Sequence, residues 1–167
     1  MTAPRVAAAV ALGLLAACGG GGGGGGVEPR GTATLTAPTF VTAPEVRESV
    51  DLELTSDRAA SALQVDLVAD PAVIPSAAGI VSAGRATDLE PAFQNVAPGR
   101  IRLVLFDPGG APTLPAGQGP VLRVSFRVTG TAPAGSSALG FEDPIVVDGD
   151  GETFDVTVVA GEVIVQR

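Results

Sequence analysis

Apolar and polar residues alternate with a period of two in short runs from about position 31 onward. The alternating apolar positions are Val50, Leu52 and Leu54; Leu63, Val65 and Leu67; Ile101, Leu103 and Leu105; Leu122, Val124, Phe126 and Val128; Phe154, Val156 and Val158; and Val163 and Val165. A period of two places every second side chain on the same face of a β-strand. The pattern therefore predicts half-buried strands, and no stretch sustains a strong helical period.

Turn-forming residues separate these runs. They include Pro98 and Gly99, the segment 107–110 (Asp-Pro-Gly-Gly), and Asp150 with Gly151. Proline fixes φ and glycine tolerates positive φ, so both suit tight connections between strands. Many short strands with alternating faces and frequent turns are typical of an all-β domain. We predict one antiparallel β-sandwich over residues 32–167.

The amino-terminal segment follows a different pattern. Residues 1–5 form a short basic leader, residues 6–15 are almost entirely apolar, and small residues precede Cys18 and a tract of glycines at 19–26. An apolar run of this length is too short to span a bilayer and is typical of a signal peptide. Glycine has the largest ordering entropy and no side chain to bury, so we expect the tract to act as a flexible tether with a reach of about 20 Å.

The sequence Leu-Ala-Ala-Cys at 15–18 resembles the lipobox of bacterial lipoproteins. The resemblance implies cleavage before Cys18 and a diacylglyceryl thioether on its sulfur. We therefore assign residues 1–17 to a lipoprotein signal peptide and residues 18–31 to the lipidated cysteine and its tether. The expected location is the cell envelope, extracytoplasmic and lipid-anchored, at the outer membrane or cell surface. The alternative is an ordinary secretory signal with a chance cysteine near the cleavage site.

Composition restricts the chemistry. The chain has a formal net charge of −8 and a pI near 4.3, which disfavours nucleic acids and anionic lipid headgroups as partners. It contains no histidine, lysine, tryptophan or tyrosine, and Cys18 is its single cysteine. Nucleophilic triads, imidazole metal sites and Schiff-base chemistry lack their usual side chains, and no disulfide framework is available. We predict a protein without catalytic residues, bound metal or cofactor.

The order of the strand segments resembles a cohesin domain over residues 33–166. The matching segments are 50–54, 62–74 with its Asp-Pro ending, 99–107, 119–126 after a Gly-rich loop, the turn at 132–137, and the closing strands at 148–165. The resemblance implies a nine-stranded jelly roll related to bacterial carbohydrate-binding modules. It also implies docking, through one sheet face, of a calcium-loaded dockerin on another protein, often a polysaccharide-degrading enzyme.

The chain departs from the cohesin pattern on the strand that ends in Asp-Pro. Cellulosomal cohesins present an Asn and an Asp there, two residues apart, and these positions fall at Ala62 and Gln64. The resemblance still implies a partner-binding face. We assign to it three residues of this strand and two of a neighbouring strand, namely Gln64, Asp66, Val68, Arg100 and Arg102. A register slip of one residue would exchange Arg102 for Leu103 on that face.

Three smaller constellations have a functional and a structural interpretation. The acidic segment 148–152 resembles part of a calcium loop but lacks the third acidic position and the distal glutamate, and a hairpin turn is favoured. The loop 107–112 suits either binding or simple connection of strands, and connection is favoured. The arginines at 100, 102, 123 and 127 either form a basic stripe for an acidic partner or balance Asp51, Glu53 and Asp66. Balancing is favoured, because outward charges keep sheet faces soluble.

These observations predict a membrane-anchored, non-enzymatic module that docks a dockerin-like protein and has a link to polysaccharide degradation. Direct carbohydrate binding is the first alternative, weakened by the absence of Trp and Tyr and by having only six phenylalanines. A structural envelope module without a ligand is the second. Hydrolysis by paired carboxylates is the least favoured, since no pair of acids is placed for it.

Overall fold

The computed structural model describes residues 31–109 and 114–167. Within these ranges the chain forms one 3₁₀ turn, Gly84–Ala86, and eleven strands: β1 (Gly31–Thr36), β2 (Phe40–Thr42), β3 (Arg47–Ser56), β4 (Ala62–Ala69), β5 (Ala77–Ser82), β6 (Glu90–Ala97), β7 (Arg100–Phe106), β8 (Gly117–Arg127), β9 (Gly135–Val147), β10 (Phe154–Val159) and β11 (Gly161–Val165). The assigned signal peptide, Cys18 and the tether up to residue 30 lie outside the described residues, as does the part of the Pro/Gly loop from residue 110.

The strands form two sheets that pack as a sandwich. The five-stranded sheet has the order β10-β1-β3-β8-β5, and the six-stranded sheet has the order β2-β11-β9-β4-β7-β6. The prediction of an all-β sandwich is confirmed. Seven strand pairings in the described part of the chain are antiparallel, and two, β1 with β10 and β2 with β11, are parallel.

The two parallel pairs lie where the first and last parts of the chain cross together from one sheet to the other. The N–H of Ala37 donates to the carbonyl of Val159 at 2.9 Å, and the N–H of Glu162 donates to the hydroxyl of Thr39 at 3.1 Å. A Cβ on Gly161 would lie 2.0 Å from the carbonyl oxygen of Pro38, so the close approach requires glycine. If each strand broken by this crossing is counted once, the sandwich has the nine strands that the sequence resemblance implies.

The core lies between the sheets and is built from the alternating apolar positions. The residues that the pattern turns inward on β3, β4, β7, β8 and β11 are buried, as is Phe154 on β10. Phe126 stacks at a tilt on Phe40, with ring centroids 5.8 Å apart. Val158 was predicted to face the core but is 41% exposed, because β10 is the outermost strand of its sheet. Full burial of each such aliphatic side chain contributes about 1.5–3 kcal/mol.

The strands β5, β6 and β9 give no clean alternation in the sequence. All residues of β6 except the half-buried Pro91 are exposed, because β6 is the outermost strand of the six-stranded sheet. Its Asn95 side chain binds the backbone of Ala77 on β5: Oδ1 accepts from the N–H at 2.9 Å, and Nδ2 donates to the carbonyl at 3.3 Å. The amide thus ties the edge of one sheet to the edge of the other and occupies backbone groups that an open edge would expose.

Candidate functional site

The outer face of the six-stranded sheet carries all five partner-binding residues predicted from the sequence. On β4 and β7, Asp66 pairs with Arg102, Val68 pairs with Arg100, and Gln64 pairs with Val104. Directly paired residues project to the same face of a sheet. The structure therefore brings Gln64, Asp66, Val68, Arg100 and Arg102 together, in the register that keeps Arg102 outward and Leu103 in the core.

Asp66 is the centre of an ion cluster on this face, composed of Asp66, Arg100, Arg102, Glu142 and Asp143. Its Oδ1 and Oδ2 accept from Nε and Nη2 of Arg102 at 2.7 and 3.0 Å, and Oδ2 also accepts from Nε of Arg100 at 2.6 Å. Hydrogen bonds from Arg102 and then Arg100 lower the pKa of Asp66, against the opposing effect of burial. The carboxylate is ionised, and both of its oxygens accept hydrogen bonds from arginine.

Asp66 differs in burial from the two arginines that it binds. Solvent reaches 1% of its side chain, compared with 34% for Arg100 and 39% for Arg102. The two arginines are exposed to solvent on this face, and the carboxylate lies beneath them. Asp66 thus holds the two arginines in place, and the exposed surface at this point of the face is formed by Arg100, Arg102 and their neighbours.

A bulge in β9 supplies the two acidic members of the ion cluster that sequence reasoning missed. Between Gln64 and Asp66 the pairing with β9 shifts from Ile145 to Glu142, and Asp143 has a φ of 50°. The bulge places Asp143 Oδ2 2.8 Å from Nη2 of Arg100, and Glu142 Oε2 lies 3.0 Å from Nη1 of Arg100. The Asp-Pro dipeptide inside an apolar run was the available signal, because proline interrupts a strand ladder.

An apolar strip lies next to the ion cluster, composed of Ala92, Val104 and Ile145. Val104 pairs with Ala92 on β6 and with Gln64 on β4, and Gln64 pairs with Ile145 on β9. One cross-strand row therefore runs Ile145, Gln64, Val104, Ala92. Ile145 is 46% exposed, Ala92 is exposed and Val104 is half-buried. Exposed apolar groups with polar residues at their border are typical of a protein interaction site.

The outer face of the five-stranded sheet has a different character. Arg123 on β8 binds Asp51 on β3 through Nε and Nη2 at 2.7 and 2.8 Å, and Arg127 pairs with Glu45. The arginines at 100 and 102 and those at 123 and 127 therefore lie on different sheets and do not form one basic stripe. The favoured interpretation, that outward arginines balance acidic residues, holds for Asp51 and Asp66.

The acidic segment 148–152 forms the turn between β9 and β10. One oxygen of Asp148 accepts the N–H groups of Asp150 and Glu152 at 3.0 and 2.9 Å, and the N–H of Asp148 donates to the carbonyl of Glu152 at 3.0 Å. The Asp148 carboxylate therefore accepts hydrogen bonds from backbone N–H groups of the same turn, which supports the interpretation of this segment as a hairpin turn. Among the described residues, no group of three or more acidic or thiol side chains is placed to hold a metal ion.

One aromatic side chain, Phe106 on β7, lies on the outer face of the six-stranded sheet, in phase with Arg102 and Val104 and paired with Ala62. Phe126, Phe141 and Phe154 are buried, Phe40 packs against the core, and Phe106 is half-buried on β7. Phe93 is 38% exposed but lies on the edge strand β6.

In the two described ranges there is also no helix with the length and apolar character needed to cross a bilayer.

Comparison with known proteins gives similarity in fold without similarity in sequence. No protein-family model and no curated sequence matches the chain. CaCohA2 from Clostridium acetobutylicum, solved in complex with CaDoc0917, has a TM-score of 0.72 at 18% identity, covering 81% of this chain and 100% of that one. The OlpC cohesin of a type I cohesin–dockerin complex from Clostridium thermocellum has a TM-score of 0.71 at 12% identity, covering 83% and 96%.

A non-cellulosomal cohesin is among the similar structures as well. The cohesin from the hyperthermophilic archaeon Archaeoglobus fulgidus has a TM-score of 0.66 at 17% identity, covering 81% of this chain and 92% of that one. The chain therefore has a cohesin-like jelly-roll fold, as the order of its strand segments implied. At these low sequence identities the structural similarity shows the fold alone. The function is therefore argued from the outer face itself.

Proposed function

We propose that this chain is a non-enzymatic docking module that binds a dockerin-like protein on the outer face of the six-stranded sheet. The observation that carries the proposal is the pairing of an exposed apolar strip with a preorganised ion cluster on one face, through the row that contains Gln64. Such a face combines apolar area with fixed hydrogen-bonding groups, which together give affinity and orientation. The similar structures of CaCohA2 and of the OlpC cohesin are both complexes with a dockerin.

The departures at Ala62 and Gln64 bear on which partner is bound. Both residues lie on β4 and are half-buried on the proposed face. A methyl group and an amide replace the Asn and Asp of cellulosomal cohesins, so a dockerin that relies on those two groups loses hydrogen bonds here. The partner is accordingly expected to be a divergent dockerin, with calcium required to fold the partner rather than this chain.

The proposal includes a lipid anchor at Cys18. The lipobox-like sequence at 15–18 and the glycine tract after it support display of the domain on the cell envelope, outside the cytoplasm. Confinement near a membrane raises the effective concentration of the module for partners held there. A dockerin-bearing polysaccharide-degrading enzyme is the class of partner that this arrangement would retain at the cell surface.

Catalysis is not part of the proposal. Asp66, the buried carboxylate among the described residues, is neutralised by two arginines, and Asp148 accepts hydrogen bonds from backbone N–H groups. An acid of a hydrolytic pair needs access to substrate and a pKa near the working pH. The pKa of Asp66 is lowered, which is the wrong direction for a general acid.

The direct test is capture of dockerin modules encoded by the same genome on the immobilised full chain in detergent, with calcium and with a chelator. The proposal expects at least one module to bind with calcium and to be released by the chelator. Retention on soluble or insoluble glycans without any dockerin binding would contradict it and would support direct carbohydrate binding.

A further inference from the structure

We propose that the partner presents a carboxylate to the unoccupied end of the Arg102 guanidinium, beside an apolar side chain that packs on the apolar strip. This inference rests on the proposed docking function of the outer face. It names the chemistry of the partner at one position and assigns Asp66 the role of a positioning residue.

Asp66 uses only one edge of the Arg102 guanidinium. Its two oxygens bind Nε and Nη2, and Nη1 has no hydrogen bond or ion pair to any described residue. The end formed by Nη1 and the second hydrogen of Nη2 is therefore available on a side chain that is 39% exposed. Because a buried carboxylate already holds the guanidinium in one orientation, binding a second carboxylate costs little further side-chain entropy.

Arg100 provides the contrast within the same cluster. Its Nε, Nη1 and Nη2 each lie within 3.0 Å of a carboxylate oxygen, on Asp66, Glu142 and Asp143 respectively. The exposed acids Glu142 and Asp143 are thus already paired with a cation. Arg102 retains donors without acceptors, and covering them with a partner that offers no acceptor would leave charged donors desolvated. A carboxylate matches the paired N–H groups of a guanidinium end better than other acceptors.

The apolar strip sets the second requirement and the spacing. Val104 follows Arg102 by two residues on β7, which corresponds to about 6.6 Å along a strand. Side chains three or four residues apart on a helix have Cβ atoms about 5–6 Å apart. A partner segment that presents Asp or Glu about 6 Å from Leu, Ile or Phe, as positions three or four apart on a helix do, therefore reaches both features at once.

The test uses a phage-displayed library of randomised helical peptides, selected on the immobilised full chain in detergent. Recovered peptides are measured against Arg102→Gln, against Arg102→Lys, which keeps a cation beside Asp66, and against Ile145→Asp. Arg123→Gln is the matched control, because Arg123 forms the same two-point contact with Asp51 on the other sheet. Thermal unfolding of each variant verifies that it is folded.

The inference expects peptides with an acid three or four positions from an apolar residue, whose affinity falls at least tenfold with Arg102→Gln and Arg102→Lys and is unchanged with Arg123→Gln. Replacing the peptide acid by its amide should cause no further loss of affinity for Arg102→Gln.

Peptides that require Ile145 but not Arg102, or no peptide dependent on either residue, would overturn the inference. A dockerin that loses binding with Ile145→Asp and keeps it with Arg102→Gln would leave the docking function standing and the carboxylate assignment overturned. If no dockerin binds but Arg102-dependent peptides are recovered, only the dockerin assignment fails.

Discussion

Asp66 on β4 and Arg102 on β7 are directly paired and joined by two hydrogen bonds of 2.7 and 3.0 Å, with the carboxylate 1% exposed. Asp51 on β3 and Arg123 on β8 make the same cross-strand contact at 2.7 and 2.8 Å, with Asp51 34% exposed. The molecule therefore contains the same kind of ion pair twice, once with a buried carboxylate and once with a partly exposed one. The two pairs can be compared by substitution within the same protein.

We predict that Asp66→Asn lowers the free energy of unfolding by about 1–3 kcal/mol, because it leaves arginine donors without their charged acceptor in a site that water hardly reaches. Asp51→Asn should cause a smaller loss, since solvent replaces the missing acceptor at an exposed pair. Urea denaturation of the two variants and the wild type measures the difference. Equal losses would show that burial of Asp66 has no energetic consequence.

The same residue gives a prediction for pH. Hydrogen bonds from Arg102 lower the pKa of Asp66 in the folded protein, so its contribution to stability is present above the unfolded pKa of about 3.9 and is lost as the pH falls through the folded value. The stability difference between wild type and Asp66→Asn should be constant from pH 7 to about pH 5 and shrink below about pH 4. Denaturation series at several pH values test this, and a difference that grows on acidification contradicts it.

Gly161 gives a prediction for the crossing between the sheets. Gly161→Ala should destabilise the protein by about 2–3 kcal/mol, because the new methyl group would meet the carbonyl oxygen of Pro38 at 2.0 Å. Gly140→Ala is the control: its Cβ would have no neighbour within 4 Å, and a change of less than about 0.5 kcal/mol is expected. Thermal unfolding of both variants decides it, and a Gly161→Ala variant as stable as Gly140→Ala would show that the crossing relaxes without cost.

The alternating pattern in the sequence predicts the strands in the middle of the sheets well. Val50, Leu52 and Leu54 on β3 alternate with polar residues in the sequence and are buried in the structure, because β3 has a neighbour on each side and a sheet beneath it. That Asp66 and Arg102 lie on the same outer face was also predictable, since the apolar residues of β4 and β7 fix which side chains face outward.

Features at the edges and at irregular positions did not follow from the alternation. Val158 keeps the inward phase of β10 but is 41% exposed, because an edge strand extends beyond the sheet it packs on. The contacts of Glu142 and Asp143 with Arg100 depend on a bulge opposite β4, which a period of two cannot represent. The burial of Asp66 depends on how the long side chains of Arg100 and Arg102 lie over it. Their positions are set by tertiary packing, which the pattern of alternation does not describe.

The measurement that tests the docking face most directly is the affinity of a captured dockerin module for Ile145→Asp compared with Val81→Asp. Ile145 and Val81 are 46% and 55% exposed, on the six-stranded and five-stranded sheets respectively, so neither change should unfold the protein. We predict that Ile145→Asp weakens binding at least a hundredfold in calorimetry and that Val81→Asp leaves it unchanged. Equal affinities for the two variants, or a loss confined to Val81→Asp, would contradict docking on the outer face of the six-stranded sheet.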